Sequence, residues 1–414
     1  RTYLERHQYG SVVTEDLNAV IEDLSGRSFD RFFDQWVYHA HHPELDIRYA
    51  WDETAKLAKL TVRQVQDLNE HVLLFQFPLP VRFVGPSGLT TNYTVTVKAQ
   101  EEDFSFALPD APRLVRVDPE STVLAKITFQ PPPAMISMML TNTDDVLGRL
   151  LAVAELSSRQ DIETVARLRT ALQQDPFYGV RIEASQALQR IRTDEALDAL
   201  LASTNQPDAR VRRQVREDLR SFFRDSVRAA ARAALTQETN PEIQAVLIRT
   251  LGNYPDTQAP EILRSYLIAK SYRDVLADAA IDAMRAQNDP ASIPALLEAL
   301  TEREGNFTTG GFAAGMRALA HLARDENDKA SVRELLIRHV NHPQSHVRHT
   351  AIAALGELGD PKAIGALRTL TRGGGPDNPE RQAAQRALAA LGAAKRPADN
   401  LDECCRKHRF ARLD

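Results

Sequence analysis

The stretch that decides the fold is 343–367, PQSHVRHTAIAALGELGDPKAIGAL. A helix opens near Arg348, and its inner face carries small and apolar residues at helical spacing: Ala351, Ala354 and Leu355. After that helix, glycines loosen the chain and an Asp-Pro pair restarts it: Gly356, Gly359 and Asp360-Pro361. Two apolar residues, Ile364 and Leu367, then begin a returning helix. The stretch therefore predicts one helical hairpin.

The position of Arg348 recurs along the chain. Equivalent positions, called marker positions below, are Arg181, Arg212, Gln244, Ala277, Phe312, Arg348 and Arg381. A steady period of roughly 30–36 residues indicates one helical hairpin per repeat, each stacked on its neighbours. We therefore predict an α-α superhelix over residues 144–392, which resembles HEAT repeats of the short, phycobilisome-lyase-like kind. Such a motif specifies a fold and is nearly silent on activity.

The residues that follow each marker position explain how the hairpins would pack. Small residues would let paired helices approach closely: Ala184, Ala187, Ala280, Ala283, Ala351, Ala354, Ala384 and Ala387. Larger ones would fill the layer behind them: Leu188, Leu219, Leu251, Met284, Leu319, Leu355 and Leu388. One hairpin cannot bury its apolar face alone, so the array is stable only as a stack.

The chain before the array has a different character. Residues 1–43 read as helices, with Thr14 as an N-cap, and Phe29, Phe32, Phe33 and Trp36 form one apolar face. Residues 44–130 alternate apolar and polar positions between Pro and Gly breaks, which predicts about seven short strands in an all-β sandwich. Residues 131–143 begin with three prolines and read as a linker, and residues 393–414 read as a polar tail.

Bulk composition limits the classes of partner. The net charge is −5, which gives no reason to expect nucleic acid or an anionic membrane as a partner. No stretch approaches the roughly 20 apolar residues that cross a bilayer. The two cysteines, Cys404 and Cys405, are adjacent in the tail and have no zinc-site spacing.

A search for reaction chemistry gives a negative result. None of the eleven histidines is followed by Glu, so the chain has no HExxH zinc helix, and it has no GxSxG elbow, P-loop or CxxC pair. We therefore assign no catalytic, cofactor-binding or metal-ligating residue. Two histidine groups are candidates for a metal site. The first group is His39, His41 and His42, and the second is His339, His342, His346 and His349. Metal binding is the less favoured interpretation of both.

Two arginine-rich segments lie within the array, at Arg210–Arg220 and Arg224–Arg232. They would suit a carboxylate or phosphate site. Their acidic neighbours favour instead a solvated, salt-bridged face.

The part of the chain before the prolines, at positions 1–130, carries a second resemblance. The segment 3–47, YLERHQYGSVVTEDLNAVIEDLSGRSFDRFFDQWVYHAHHPELDI, resembles the end of the catalytic domain in the aminopeptidase N family of zinc metallopeptidases, the gluzincins. The stretch Arg113–Ile127 resembles the closing strands of that family's sandwich. In the family an all-helical, HEAT-like domain follows, so the order of parts is the same here. His42 departs from the pattern, since the family usually has a glycine before the proline.

The resemblance implies that this chain is the C-terminal, substrate-gating portion of a zinc aminopeptidase. The family's zinc ligands, catalytic Glu and GxMEN motif would all lie upstream of Arg1, where two His and one Glu would hold Zn²⁺. Partners would be that upstream domain, through the Phe29/Phe32/Phe33/Trp36 face, and the peptide substrate. The alternative is a non-enzymatic scaffold that binds protein partners on the array. The cysteines and the lack of a signal segment lean to the cytoplasm, although residues before Arg1 would carry any signal.

Overall fold

The chain begins with three helices and one turn of π-helix: α1 (Thr2–His7), α2 (Thr14–Ser25), α3 (Asp30–Phe33) and Asp34–Tyr38. This computed structural model describes residues 1–254, 259–372 and 377–393. Cys404, Cys405 and most of the predicted tail lie outside them. Thr14 lies in the first turn of α2 and not at its cap, because Val13 is the N-cap and its N–H bonds the Asp16 carboxylate.

Seven strands follow, in two sheets. They are β1 (Glu44–Asp52), β2 (Leu57–Gln64), β3 (Phe77–Val84), β4 (Thr90–Val97), β5 (Glu101–Ala107), β6 (Leu114–Val117) and β7 (Lys126–Phe129). One sheet has the order β5-β2-β1-β7 and the other β4-β3-β6. All neighbours are antiparallel except β1 and β7. Alternate residues such as Leu45, Ile47, Leu60 and Leu79 are buried, as the period-2 pattern predicts.

The apolar face of the first helices is divided. Trp36 packs on Phe75 and Phe77 of the sandwich, with ring centroids 5.1 and 6.4 Å apart. Phe33 is buried, whereas Phe32 is half exposed to solvent. Trp36 is therefore tied to the sandwich, and only part of the face is left for another partner.

Four helices complete the first of two compact units, residues 1–193: α4 (Pro133–Thr141), α5 (Val146–Leu156), α6 (Ile162–Gln174) and α7 (Tyr178–Ile191). The predicted linker at 131–143 holds α4, since Pro133 suits the first turn of a helix. Met135, Ile136 and Met139 of α4 are buried, so this segment is a packed element and not a spacer.

The second unit begins at Asp194 and is helical in its described residues. Its helices are α8 (Asp194–Leu201), α9 (Ala209–Leu219), α10 (Asp225–Leu235), α11 (Pro241–Gly252), α12 (Ala259–Leu267), α13 (Val275–Gln287), α14 (Ile293–Glu302), α15 (Thr309–Ala323), α16 (Ala330–His339), α17 (Ser345–Leu358), α18 (Ile364–Thr371) and α19 (Pro379–Ala393). The predicted period is confirmed, because each marker position lies in the first turn of a helix: α7, α9, α11, α13, α15, α17 and α19.

Within the second unit, the marker helices α9, α11, α13, α15, α17 and α19 pack one against the next, and α10, α12, α14, α16 and α18 pack behind them. The predicted small residues are all buried. The larger ones are buried too, except Leu388, which is half-buried.

Contrary to the prediction from the sequence, Gly356 does not loosen the chain after the helix. This residue lies inside α17, and a Cβ built on it would stand 3.0 Å from the Ala387 Cα of α19. Gly252 of α11 approaches Ala283 of α13 still more closely, at 2.5 Å by the same construction. These two glycines therefore set the distance between neighbouring marker helices, α17 from α19 and α11 from α13. Gly359, with a φ of 69°, is the residue that ends α17.

Candidate functional site

The described residues hold no group of three or more His, Cys, Asp or Glu side chains placed to bind a metal ion. They also hold no helix long and apolar enough to cross a membrane. The remaining candidate features lie on the surfaces of the helices and among the side chains that link one repeat to the next.

The second histidine group is split by the fold. His339 and His342 both face the Glu304 carboxylate, with Nε2–Oε1 distances of 3.3 and 3.7 Å. His339 is buried, stacks on Phe312, and its Nδ1 lies 2.8 Å from the carbonyl oxygen of Leu335. His349 instead lies on α17 beside Glu380. The pair at Glu304 fastens the end of α16, and the four histidines do not converge.

The histidines of the first group, His39, His41 and His42, do not share one partner either. His39 Nδ1 lies 2.8 Å from the Asp34 carbonyl oxygen, while His41 Nε2 lies 3.4 Å from Glu44. The rings of His41 and His42 meet at 4.9 Å, contrary to the alternating directions expected of an extended segment. The reason is local, because His41 has a φ of 77° and the backbone is not extended there.

The arginine-rich segments form a salt-bridged surface. Arg210 pairs with Asp208, Arg213 with Glu242 and Arg228 with Asp225. Burial lowers the pKa of Arg216, and the charge of Arg212 lowers it further against the opposing effect of Glu238. These contacts agree with the salt-bridged interpretation of the two segments.

Arginines at marker positions link consecutive repeats. The Arg212 guanidinium donates to the carbonyl oxygens of Gln206 and Pro207 at 2.9 and 3.1 Å, and to the Glu238 carboxylate at 3.2 Å. Glu238 stands six residues before the next marker, Gln244, whose amide donates to the Glu238 carbonyl oxygen at 2.7 Å. Glu238 thus serves two repeats at once.

A similar arrangement occurs at Arg348, which donates to the carbonyl oxygens of His342 and Pro343 and to Glu380. Arg149 of α5 repeats it, with bonds to the Asn142 and Thr143 carbonyl oxygens and to Asp175. Arg149 stands one period before Arg181, so the repeat pattern could have identified this further marker from the sequence. It is almost fully buried, unlike Arg212 and Arg348.

Side chains further along the marker helices form bonds between neighbouring helices. Arg249 of α11 pairs with Asp282 of α13 at 2.8 Å, and His321 of α15 with Glu357 of α17 at 3.1 Å. Arg249 and Asp282 each stand five residues after a marker position. The exposed face of the marker helices is therefore crossed by charged bonds.

Asp278 of α13 lies in the same layer, beside Gly311 of α15. Its Oδ1 is buried with no hydrogen-bond partner among the described residues. Burial raises the pKa of this carboxyl to about 6, and the charges of Asp282 and Asp274 raise it while that of Arg249 lowers it. No pattern in the sequence identified this residue.

A groove of about 540 Å³ lies between α17 and α19. Small residues form its floor: Ala353, Gly356, Ala383, Ala387 and Ala390. Its walls carry three ionisable side chains, those of His349, Glu357 and Arg386. Glu357 is engaged by His321, and Glu380 at the groove's end is engaged by Arg348. The Arg386 guanidinium makes no hydrogen bond or ion pair with any residue that the structure describes. The groove thus combines an apolar floor with an arginine that has no hydrogen-bond or ion-pair partner among the described residues.

Residues 1–42 carry another exposed surface. Nine large apolar side chains there are exposed, here called the lead-in face: Leu4, Tyr9, Val12, Val13, Leu17, Leu24, Phe32, Val37 and Tyr38. By contrast, residues 259–372 expose two, Ile268 and Tyr272. Apolar exposure concentrated in so short a segment is typical of an interaction surface.

Comparisons with known proteins agree with the repeat architecture. The family model for HEAT repeats matches residues 132–220, 228–310 and 313–389, which is more than half of the chain. A crystal structure of aminopeptidase A from Legionella pneumophila, in complex with aspartic acid, is similar with a TM-score of 0.52 and 11% identity. The similarity covers 94% of this chain and 53% of that one, so the chain spans about half the length of the solved aminopeptidase. At this identity the likeness shows the fold alone.

Two further similarities carry no argument. The structure of human deoxyhypusine hydroxylase with glycerol covers 62% of this chain and 95% of its own, at 16% identity and a TM-score of 0.28. Anthranilate synthase component 1 1 of Halobacterium salinarum is 28% identical over 123 residues, which is 29% of this chain and 23% of that protein.

Proposed function

Because this chain belongs to the HEAT-repeat family, we propose that its array serves as the non-catalytic, substrate-gating C-terminal portion of a zinc-dependent aminopeptidase. The observation that carries the proposal is the lead-in face, which the sequence places where the aminopeptidase N resemblance expects the end of a catalytic domain. The fold likeness to an aminopeptidase over almost the whole chain supports it.

The Phe29/Phe32/Phe33/Trp36 face is partly buried and partly exposed, which fits such an interface. Trp36 holds the lead-in helices on the sandwich and Phe33 is buried, while Phe32, Tyr38 and Leu24 remain exposed. One side of these helices is thus fixed, and the other is free to pack on a further domain. The array would then restrict which peptides reach the catalytic zinc.

The test begins with the gene. We would sequence the roughly 300 codons that precede Arg1, enough for one or two domains of typical size, and express the whole reading frame. An HExxH motif, a Glu some eighteen residues later, one zinc per chain and chelator-sensitive hydrolysis of aminoacyl-p-nitroanilides are expected. An intact upstream domain without those ligands would indicate the scaffold alternative, and no such domain would refute the proposal.

A variant then tests the interface itself. Leu24→Asp on the lead-in face should lower the melting temperature of the whole product by several degrees, because it buries a charge. In the present chain alone, where Leu24 is exposed, the same change should have little effect. Leu124→Asp, at an exposed leucine between β6 and β7, is the matched control. Equal effects of the two variants in the whole product would argue against the interface.

A further inference from the structure

The groove between α17 and α19 differs from its neighbours in one respect. At five residues after the marker, α11 and α13 carry the ion pair Arg249–Asp282. The same position in α17 and α19 is occupied by Ala353 and Arg386. Arg386 thus stands where α13 carries Asp282, and Ala353 stands where α11 carries Arg249, so the ion pair of the earlier boundary has no counterpart here. Both residues line the groove.

We propose that this groove binds a segment of a partner protein that carries an acidic side chain, Asp or Glu, beside apolar residues. The proposal is independent of the aminopeptidase assignment. Arg386 supplies a guanidinium that can grip a carboxylate through two parallel hydrogen bonds. The alanine floor gives the neighbouring apolar side chains a surface on which to pack.

His349 forms part of the other wall. Its Nε2 is buried, lies 3.6 Å from Glu380 Oε1, and has no hydrogen-bond partner among the described residues. Glu380 is already bonded by the Arg348 guanidinium at 2.8 Å. The His349 ring is thus directed at Glu380, and Arg386 is the cationic side chain on the groove walls that an incoming acidic group can reach.

The helix spacing explains why the floor is accessible. Gly356 and Ala387 bring α17 and α19 into backbone contact, so no large side chain stands between the two helices. Ala353 and Ala390 are exposed on the floor, and Ala383 is half-buried. Their methyl groups report directly on anything that enters.

The experiment titrates the full chain, with methyl-labelled alanine, against three peptides and follows the alanine methyl NMR signals. The first probe is acetyl-Ala-Leu-Glu-Leu-Ala-amide, whose only charge is the Glu side chain. The second replaces Glu by Gln. The third is the Gln peptide with a free C-terminal carboxylate. Shifts of the Ala353, Ala383 and Ala390 methyl signals with the first probe, and at least tenfold weaker binding of the other two, are expected.

Three variants make the result specific. Arg386→Gln should weaken binding of the Glu peptide at least tenfold. Ala353→Glu should weaken it as well, because the new carboxylate would pair with Arg386 within the chain. Arg338→Gln, at an exposed arginine of α16, makes the same change in net charge and should leave binding unchanged.

Several outcomes would overturn the proposal. They are methyl shifts confined to other alanines, equal binding of the Glu and Gln peptides, and an equal loss with Arg338→Gln. Preferential binding of the peptide with the free C-terminus would overturn it too, since the groove would then recognise a chain end and not an internal acidic residue. The methyl spectrum of each variant shows independently that the chain is folded.

Discussion

Arg149 and Asp175 form an ion pair that is almost fully buried, with 2.7 Å between Nε and Oδ2. Both partners make further bonds, because Arg149 also donates to two carbonyl oxygens and Asp175 accepts from the Phe177 N–H. Buried charges that lose one partner are costly, since the remaining charge has neither water nor a counterion.

Arg149→Met should therefore lower the free energy of unfolding by about 3–5 kcal/mol, the usual cost of breaking a buried pair. Urea denaturation followed by circular dichroism measures it. The control is Arg48→Ala, which removes an exposed pair with Asp46 and should change the free energy by about 0.5 kcal/mol or less. If both variants lost the same small amount, the Arg149 pair would contribute no more than a surface contact.

Asp278→Asn should stabilise the protein at pH 7. The pKa of this carboxyl is raised to about 6 in the folded chain, so folding favours its protonated form. Stability from this group is present below its ordinary pKa and is lost as pH rises from about 4 to about 6. Because Asp278 is only partly buried, we expect a gain of about 1 kcal/mol at pH 7 and almost none at pH 4.

The melting temperatures of the unsubstituted protein and of Asp278→Asn, measured between pH 4 and 8, should differ at neutral pH and converge near pH 4. Asp325→Asn, at an exposed carboxylate of the same unit, should give parallel curves. A gain from Asp278→Asn that is the same at every pH would contradict the titration account.

Gly252→Ala should destabilise the protein by about 1–3 kcal/mol, the cost of overpacking a tight contact. The new methyl group would stand 2.5 Å from the Ala283 Cα, so α11 and α13 must move apart. Gly365→Ala is the matched control, because that glycine lies in α18 with open space around it. The control should be stabilising, by about 0.5–1 kcal/mol, as is usual for Gly→Ala within a helix. Chemical denaturation of both variants decides the sign of each effect.

Trp36→Ala and Phe32→Ala should have different effects in the present chain. Trp36 contacts two sandwich phenylalanines, and its loss should cost about 2–3 kcal/mol, less than a fully buried aromatic residue. Phe32 is half exposed and should cost about 0.5 kcal/mol or less. Thermal melting of the two variants measures the difference. Comparable losses would place Phe32 in the same packed contact as Trp36.

Much of this fold could be predicted from the sequence, and the reason is periodicity. Marker positions such as Arg181 and Phe312 lie in first helical turns because a repeated packing unit imposes a repeated pattern. Alternation in β2 and β4 identified the sandwich for a similar reason. The helix α4 was missed because three prolines suggested a break, whereas Pro133 starts a helix whose methionines are buried.

The candidate site was less predictable. Arg386 is one arginine among many, and its lack of a partner within the described part of the chain depends on Ala353, which lies one repeat earlier. The raised pKa of Asp278 likewise depends on helices that meet only after folding. Such properties arise from distances between repeats, and a pattern within one repeat does not contain them.

The link between marker arginines and the residue six positions before the next marker also bears on how such a gene can change. Asp175 and Glu238 each stand at that position and bind an arginine of the preceding repeat. Other repeats carry no carboxylate there: Gln206, Ser271, Asn306 and His342. Unequal recombination that adds or removes one whole period would therefore keep such an ion pair only where the incoming repeat carries Asp or Glu at this position. Whole repeats are thus not interchangeable units at these two boundaries.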